Sequence, residues 1–545
     1  MTATVVRIAL LSQLCASVVL TSSLPATAEA NPTPKVRRAQ HFAVSPALRD
    51  IARLTLPIGN AAGAGASRLI LRGDSSASAD APVEQVSTLS GSNFSINLNF
   101  LGLGNGFPNF TPSGAPPNPS LAVGTTQVVQ WTDPVLAVFD KSSGAIESGP
   151  ILSSTIWESL GAPCSTGIAG SELIVEWDKA NQRWLLAENT HSGPPYYTCI
   201  AVSTGPDALG SYYLYSYSQG TPLWDTPKWG IWSNGYYQTE AEYSNSGFIG
   251  PELCAYESAK LVAGDGSAEQ ICFTLDVSDG LPFPADIDST LAPPSNEDEF
   301  FISLYDSAHL SLYSLHPDYE NPQNSTVTGT DGSQLIAVPP FTPACNGNYG
   351  GNCVPQKNSS TQLQVLGDRL MYRLAYWEDT PLTSVRATPP RPVPSQHWYA
   401  LHDSTASGGN EAPRWYEFTA PIRALPVTGI SLFQSGTFAP DSNYRWMGSL
   451  ARDKKYDILL GYSESSSSLY PAIAITGRIL SDPLGTMEDE LTVVEGTADG
   501  GPHWGNYSAM RIDSDGCTFW YTNEYYTISN EWSTQIASAK FAGCQ

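Results

Sequence analysis

Charge is scarce in this chain and lopsided where it occurs. Only 14% of the 545 residues are Asp, Glu, Lys or Arg, against roughly 25% in an average domain. Basic residues number 27 and acidic ones 52, a formal net charge of −25. Such a shortage of Lys and Arg argues against a duplex nucleic-acid binder, which needs a basic footprint. It argues equally against an anionic membrane surface as partner. Histidine is rare, with 7 residues. None falls in an H-x-H or H-E-x-x-H pattern and no C-x2-C occurs, so the common zinc motifs are absent. No P-loop or G-x-G-x-x-G follows a strand and opens a helix, so nucleotide use has no motif behind it. The segment Gly461-Tyr462-Ser463-Glu464-Ser465 lacks the final Gly of a nucleophile elbow and lies inside a strand pattern. Long helical periodicity is missing, and so is any apolar stretch of the ~20 residues needed to span a membrane.

The N-terminus reads as a targeting segment. Arg7 is followed by an apolar run over 8–20, then by small residues and Ala28-Glu29-Ala30, an A-x-A cleavage pattern. Residues 1–30 are therefore expected to be a signal peptide, and the mature protein to be secreted or periplasmic. Cysteine usage agrees with export. Cys15 leaves with the signal, which leaves Cys164, Cys199, Cys254, Cys272, Cys345, Cys353, Cys517 and Cys544. An even number in an exported chain suggests a disulfide framework. Eight cysteines allow on the order of a hundred connectivities, among which sequence alone does not choose. Nearest-neighbour pairing, 164–199, 254–272, 345–353 and 517–544, is the expectation, because each bond then closes a local loop.

Residues 31–92 are rich in Ala, Ser and Gly and read as a weakly ordered leader or linker, with one short helix near 46–54. From about residue 93 the texture changes. Runs such as ELIVEW, RWLLAENT, EFFISLYD and YDILLGYS alternate with Gly, Asn, Asp and Pro turns, the pattern of an all-β sandwich, barrel or propeller. Repeats favour the propeller. Four segments share a basic or His residue followed by Trp, a turn and a strand: they begin at Arg183, Lys228, Arg445 and His503. A fifth, GDRLMYRLAYW from Gly367, is similar without the leading Trp. Such units cannot bury both faces alone and must stack. At roughly 40–60 residues per four-stranded blade, 93–545 predicts seven blades. Their starts are expected near 117, 170, 225, 290, 360, 437 and 500.

From about Gly102 to the C-terminus the chain resembles a widespread group of secreted bacterial proteins related to BNR or sialidase-like propellers. The resemblance is carried by APPNPSLAVG, FDKSSGAI, PPYYTCIAVST, LMYRLAYW, YRWMGS and HWGNYSAM with CTFWYTNEYY. It implies a β-propeller and export, without an established catalytic set. An Asp-box reads S-x-D-x-G-x-x-W. The segment from Asp513 to Trp520 departs from that spacing, and no arginine triad accompanies it.

A propeller presents ligands where its innermost strands converge. The expected rim is Glu172, Asp225, Lys228, Asp298, Arg369, Arg445, Trp446, His503, Trp504 and Asn506. Carboxylates, cations and indoles together suit sugars: aromatic faces stack on C–H surfaces while polar groups fix hydroxyls. Two carboxylates from different blades, Glu172 and Asp225, would serve glycoside hydrolysis, with Glu240, Glu242 and Glu378 in reserve. The competing reading is that each carboxylate caps a turn or pairs with a nearby cation. Trp184, Trp229, Trp446 and Trp504 are expected to pack between blades, with ligand stacking as the alternative. Asp513-x-Asp515-Gly516 begins like an oxygen-ligand loop, so Ca2+ is the ion such a site would take. The expected function is a monomeric propeller acting on extracellular glycan as a hydrolase or lyase. The alternative is a non-catalytic propeller that binds glycan or a cell-surface protein.

Overall fold

Segments such as Val135–Asp140 and Leu173–Asp178 are built of aliphatic and aromatic residues and end at Asp-containing turns. A strand of that composition is buried on both faces, so it must sit inside a stack of sheets. The computed structural model describes residues 32–51, 84–112, 115–168, 172–348, 350–379, 395–422, 429–505 and 507–545. The expected signal peptide lies outside the described residues.

Among the described residues the strands form seven blades, each an antiparallel meander outward from an innermost strand, with blades 4 and 5 joined into one eleven-stranded sheet. Blade 1 comprises Ser120–Val123, Gln127–Thr132, Val135–Asp140 and Ile146–Leu152. Blade 2 runs from Leu173–Asp178 to Tyr212–Gly220, and blade 3 from Leu223–Trp232 to Glu269–Thr274. Blade 4 begins with Phe283–Ile287 and blade 5 with Leu374–Glu378, and these two inner strands pair in parallel. Blade 6 runs from Tyr444–Arg452 to Leu491–Val494, and blade 7 from Ala509–Ile512 to Glu531–Phe541. Each innermost strand contacts that of the next blade, and blade 7 returns to blade 1, which makes the ring. The early strand Phe94–Gly104 pairs with Glu531–Phe541 and supplies the fourth strand of blade 7. Closure by a strand from the other end of the domain removes an open sheet edge and ties the ring shut.

Seven blades agree with the expectation, and so do most of their starts. The fifth begins latest relative to expectation, at Leu374 instead of near 360. The outer strands of blade 4, Thr326–Thr328 and Leu335–Ala337, are followed by an insertion over 338–373 that carries its own small hairpin, Asn352–Val354 with Leu363–Gln364. The described part of the leader is not free of the ring. Lys35–Arg38 adds a fifth strand to blade 3 and His41–Val44 a fifth strand to blade 2. The helix expected near 46–54 is a short 3-10 turn, Leu48–Asp50, within the described residues. No helix among the described residues is long and apolar enough to cross a membrane.

Aromatic rings fill the seams between blades. Trp184 of blade 2 lies so close to blade 1 that a Cβ on Gly124 would sit 2.4 Å from its ring. Tyr217 of blade 2 meets Tyr256 of blade 3 edge to face at 5.2 Å. Trp446 of blade 6 packs 5.3 Å from Trp504, which in turn packs 5.5 Å from Tyr526 of blade 7. Truncating one such ring removes about 3–5 kcal/mol. All four expected disulfides are present: Cys164–Cys199, Cys254–Cys272, Cys345–Cys353 and Cys517–Cys544.

Candidate functional site

One mouth of the central channel is formed where the inner strands of blades 2, 3, 4 and 7 begin. Glu172 precedes the first strand of blade 2, and its Oε2 accepts a hydrogen bond from Lys228 Nζ of blade 3 at 3.0 Å. Lys228 owes its position to a β-bulge. The register of Leu223–Trp232 slips between Asp225 and Lys228, and Thr226 adopts a φ of 59°. Bulges re-aim side chains in this way. The Lys228 ammonium also donates to the carbonyls of Thr226 and Pro227, at 3.0 and 2.9 Å. The Tyr507 ring, just before blade 7, lies 4.3 Å from Nζ, and Phe283, opening blade 4, lies 5.8 Å away. Arg369 is buried nearby and forks onto Asp368, through Nε at 2.7 Å and a terminal nitrogen at 3.2 Å.

The electrostatics of this mouth follow from burial. Glu172 is only 8% exposed. Burial pushes its carboxyl up to about 6; Lys228 opposes the rise, Asp225 adds to it and Arg369 opposes it. Lys228 is pushed down by burial, against the pull of Glu172. The structure thus brings Glu172, Asp225, Lys228 and Arg369 together from three separate stretches of chain.

The other expected rim residues go elsewhere. Arg445 is buried and turned outward within blade 6, where Asp441, Glu464 and Glu490 surround its guanidinium at 2.8, 3.0 and 2.7 Å. Trp446 and Trp504 are fully buried in the seam described above, and Trp504 Nε1 donates to Ser463 Oγ at 2.9 Å. His503 is exposed, and Asn506 lies outside the described residues. Asp298 precedes the second strand of blade 4, accepts from His316 Nδ1 at 2.9 Å and lines a separate cavity of about 380 Å³. Arg183 and Trp184 begin the second strand of blade 2, so they are not equivalent to Lys228 and Arg445 on inner strands. A basic–Trp pair in sequence does not distinguish the two settings, since both strands are equally buried.

The two carboxylates of the calcium expectation are both engaged by donors of the chain. Asp513 accepts from Lys141 Nζ at 3.0 Å and from Trp520 Nε1 at 3.2 Å. Asp515 instead caps the hairpin turn, accepting from the Cys517 and Thr518 amides at 2.7 and 2.8 Å. Neither belongs to a convergent set of metal-ligating groups among the described residues.

Deeper in the channel lies a charged floor that the sequence reading missed. Arg511 of blade 7 donates to Asp286 of blade 4 at 2.5 Å, to Glu176 of blade 2 at 2.5 Å and to the Leu121 carbonyl of blade 1 at 2.9 Å. Tyr372 hydroxyl also donates to Glu176. Arg373 reaches Asp288 at 2.5 Å, Asp286 at 3.2 Å and the Met510 carbonyl at 3.1 Å. Burial lifts Glu176 to about 7, Arg511 opposing and Asp286 reinforcing the rise. A signal for this floor was present: ELIVEW, PADID, LMYRLAY and AMRI each place a charge inside an apolar inner strand or just before it. A charge costs too much in such a position unless it meets a partner.

No protein-family model matches the chain, and no curated protein matches it. Among solved structures it is similar to a thermostable family-43 glycoside hydrolase, at 11% identity and TM-score 0.25, over 69% of this chain and 93% of that one. A Hadza microbial sialidase is similar at 9% identity and TM-score 0.29, over 78% and 75%. Prolyl oligopeptidase B from Galerina marginata is similar at 9% identity and TM-score 0.32, over 75% and 47%. At scores this low the likenesses carry no argument; the seven-bladed ring stands on strand pairing.

Proposed function

We propose that this chain is an exported β-propeller whose channel mouth acts on extracellular glycan, with glycoside hydrolysis as its reaction. The reading is carried by the meeting of Glu172, Lys228 and the Tyr507 ring at one mouth. Four disulfides fit an oxidising compartment. Burial that lifts Glu172 to about 6 lets it hold a proton in mildly acidic medium. It would deliver that proton to the glycosidic oxygen as general acid. Asp225 would be the second carboxylate, attacking the anomeric carbon or activating water.

A second reading has its own support. All three N–H groups of Lys228 are spent within the chain. A mouth so locked suits a non-catalytic propeller that binds glycan or a cell-surface protein. Digestion of pooled polysaccharides, read for new reducing ends and unsaturated products, separates the two. Product that disappears in folded Glu172→Gln and Asp225→Asn variants supports the hydrolase. Retarded migration in polysaccharide affinity gels without product supports the binder. Neither product nor retardation rejects glycan as the target.

A further inference from the structure

A third carboxyl group stands behind the mouth. Glu240 lies on the second strand of blade 3, Gly235–Ser244, between Thr239 and Ala241. Those neighbours pair with Lys228 and Asp225, so Glu240 sits opposite the two bulge residues, Thr226 and Pro227. The bulge is what curls the two carbonyls onto the Lys228 ammonium.

Glu240 is itself fixed from behind. It is fully buried, and its Oε1 accepts from Asn189 Nδ2 of blade 2 at 2.8 Å and from Gln238 Nε2. Gln238 Oε1 takes the Tyr256 hydroxyl, and Tyr256 accepts from Gln270 Nε2 at 2.6 Å. On the other side, Asn189 Oδ1 accepts from Thr198 Oγ1 at 3.0 Å, and Gln219 Nε2 donates to Thr198 at 3.1 Å. A continuous side-chain relay therefore crosses from the outer strand of blade 3 into blade 2. Glu240 is the member nearest the mouth, and its Oε2 has no hydrogen-bond partner. Ordered relays of buried polar groups are worth building only where a geometry must be held.

We propose that Glu240 is a positioning residue of the mouth: it holds the Thr226–Pro227 bulge, and through it the Lys228 ammonium, against Glu172. The inference rests on the reading of this mouth as the working site, but its test needs no turnover. Burial raises Glu240 well above the usual carboxylate range and so favours its protonated form; the role assigned to it is one of shape, not charge. Lys228, Asp225, Glu172 and Arg369 are the charged groups on its mouth side.

The test follows the Glu172 carboxyl by 13C NMR in the full-length protein with 13C-labelled glutamate side chains, the signal assigned by its loss in Glu172→Gln. In wild type the midpoint is expected near 6. Glu240→Gln keeps the acceptor for Asn189 and Gln238, and should leave the midpoint in place. Glu240→Leu frees the bulge, loosens Lys228 and should raise the midpoint by about one pH unit. Should Glu240→Leu fail to fold, Gln238→Leu breaks the relay one step away and should raise it in the same direction. An unchanged midpoint in a folded Glu240→Leu or Gln238→Leu variant overturns the proposal. So does a downward shift in Glu240→Gln, which would mean that Glu240 acts as an anion. Absence of any glycan product, with these shifts seen, would count against the hydrolase alone.

Discussion

The mouth and the floor of one channel use buried charge in opposite ways. At the mouth, a single ammonium meets a single carboxylate, and two of its three bonds go to its own bulge. At the floor, Arg373 and Arg511 reach carboxylates or carbonyls of blades 1, 2, 4 and 7, while Asp286 also accepts from the Ile231 amide of blade 3. A planar guanidinium carries five donors in a rigid fork and reaches more strands at once than an ammonium with three. The floor is thus a clasp for the ring, whereas the mouth is a local device. A functional site can afford a weak, adjustable pair where a closure point cannot.

The largest expected effect tests that division directly. Arg511→Ala leaves Glu176 buried without its cation and Asp286 with Arg373 alone, and should cost about 3–5 kcal/mol in urea denaturation. Lys228→Ala should cost less, about 1–3 kcal/mol, because Lys228 pairs with one carboxylate where Arg511 pairs with two. Equal losses would erase the contrast. Next come the covalent ties. Replacing Cys517 and Cys544 by Ser opens the staple of the closing blade and should cost about 2–5 kcal/mol, seen as a lower melting temperature under non-reducing conditions.

Titration separates the two carboxylates more finely. Both are raised in the folded state, Glu172 from 4.5 to about 6 and Glu176 from 4.5 to about 7. The fold therefore binds a proton that the unfolded chain has released, and stability is lost as pH rises through these windows. That loss is roughly 2 kcal/mol for Glu172 and roughly 3 kcal/mol for Glu176. Glu172→Gln should flatten the stability profile between pH 4.5 and 6, and Glu176→Gln up to pH 7. A Glu172→Gln profile as steep as wild type would show that the mouth carboxyl is not strained by burial. Gly230→Ala should cost about 1–3 kcal/mol, since a Cβ there would lie 2.2 Å from the Ala285 carbonyl oxygen of blade 4. The smallest effect belongs to the exposed His503. His503→Ala should move stability by less than about 0.5 kcal/mol, measured by the same denaturation.

Much of the ring was legible along the chain. Inner strands such as Leu173–Asp178 and Ala509–Ile512 announce themselves by apolar runs between turn residues. The local disulfides follow from short separations, 35, 18, 8 and 27 residues. The site was legible only in part. Glu172, Asp225, Lys228 and Arg369 were expected together and are together, yet Arg445, with a similar local sequence, turns outward within blade 6 and Trp446 points into a seam. Both inner strands carry a bulge, but Lys228 follows its bulge whereas Arg445 and Trp446 precede theirs, a difference that composition does not reveal. The floor residues Glu176, Asp286, Arg373 and Arg511 went unread because each sits in or beside an apolar strand, where a lone charge has no visible partner.

Period-two patterning, turn residues and repeat length determined on their own that this chain makes stacked four-stranded sheets, since those signals are local and each strand carries them. Which charges meet was decided by closure of the ring. Partners more than 300 residues apart, as Arg511 and Glu176 are, become neighbours only when the last blade docks on the first. Desolvation then sets their protonation, and that is a property of the assembled channel.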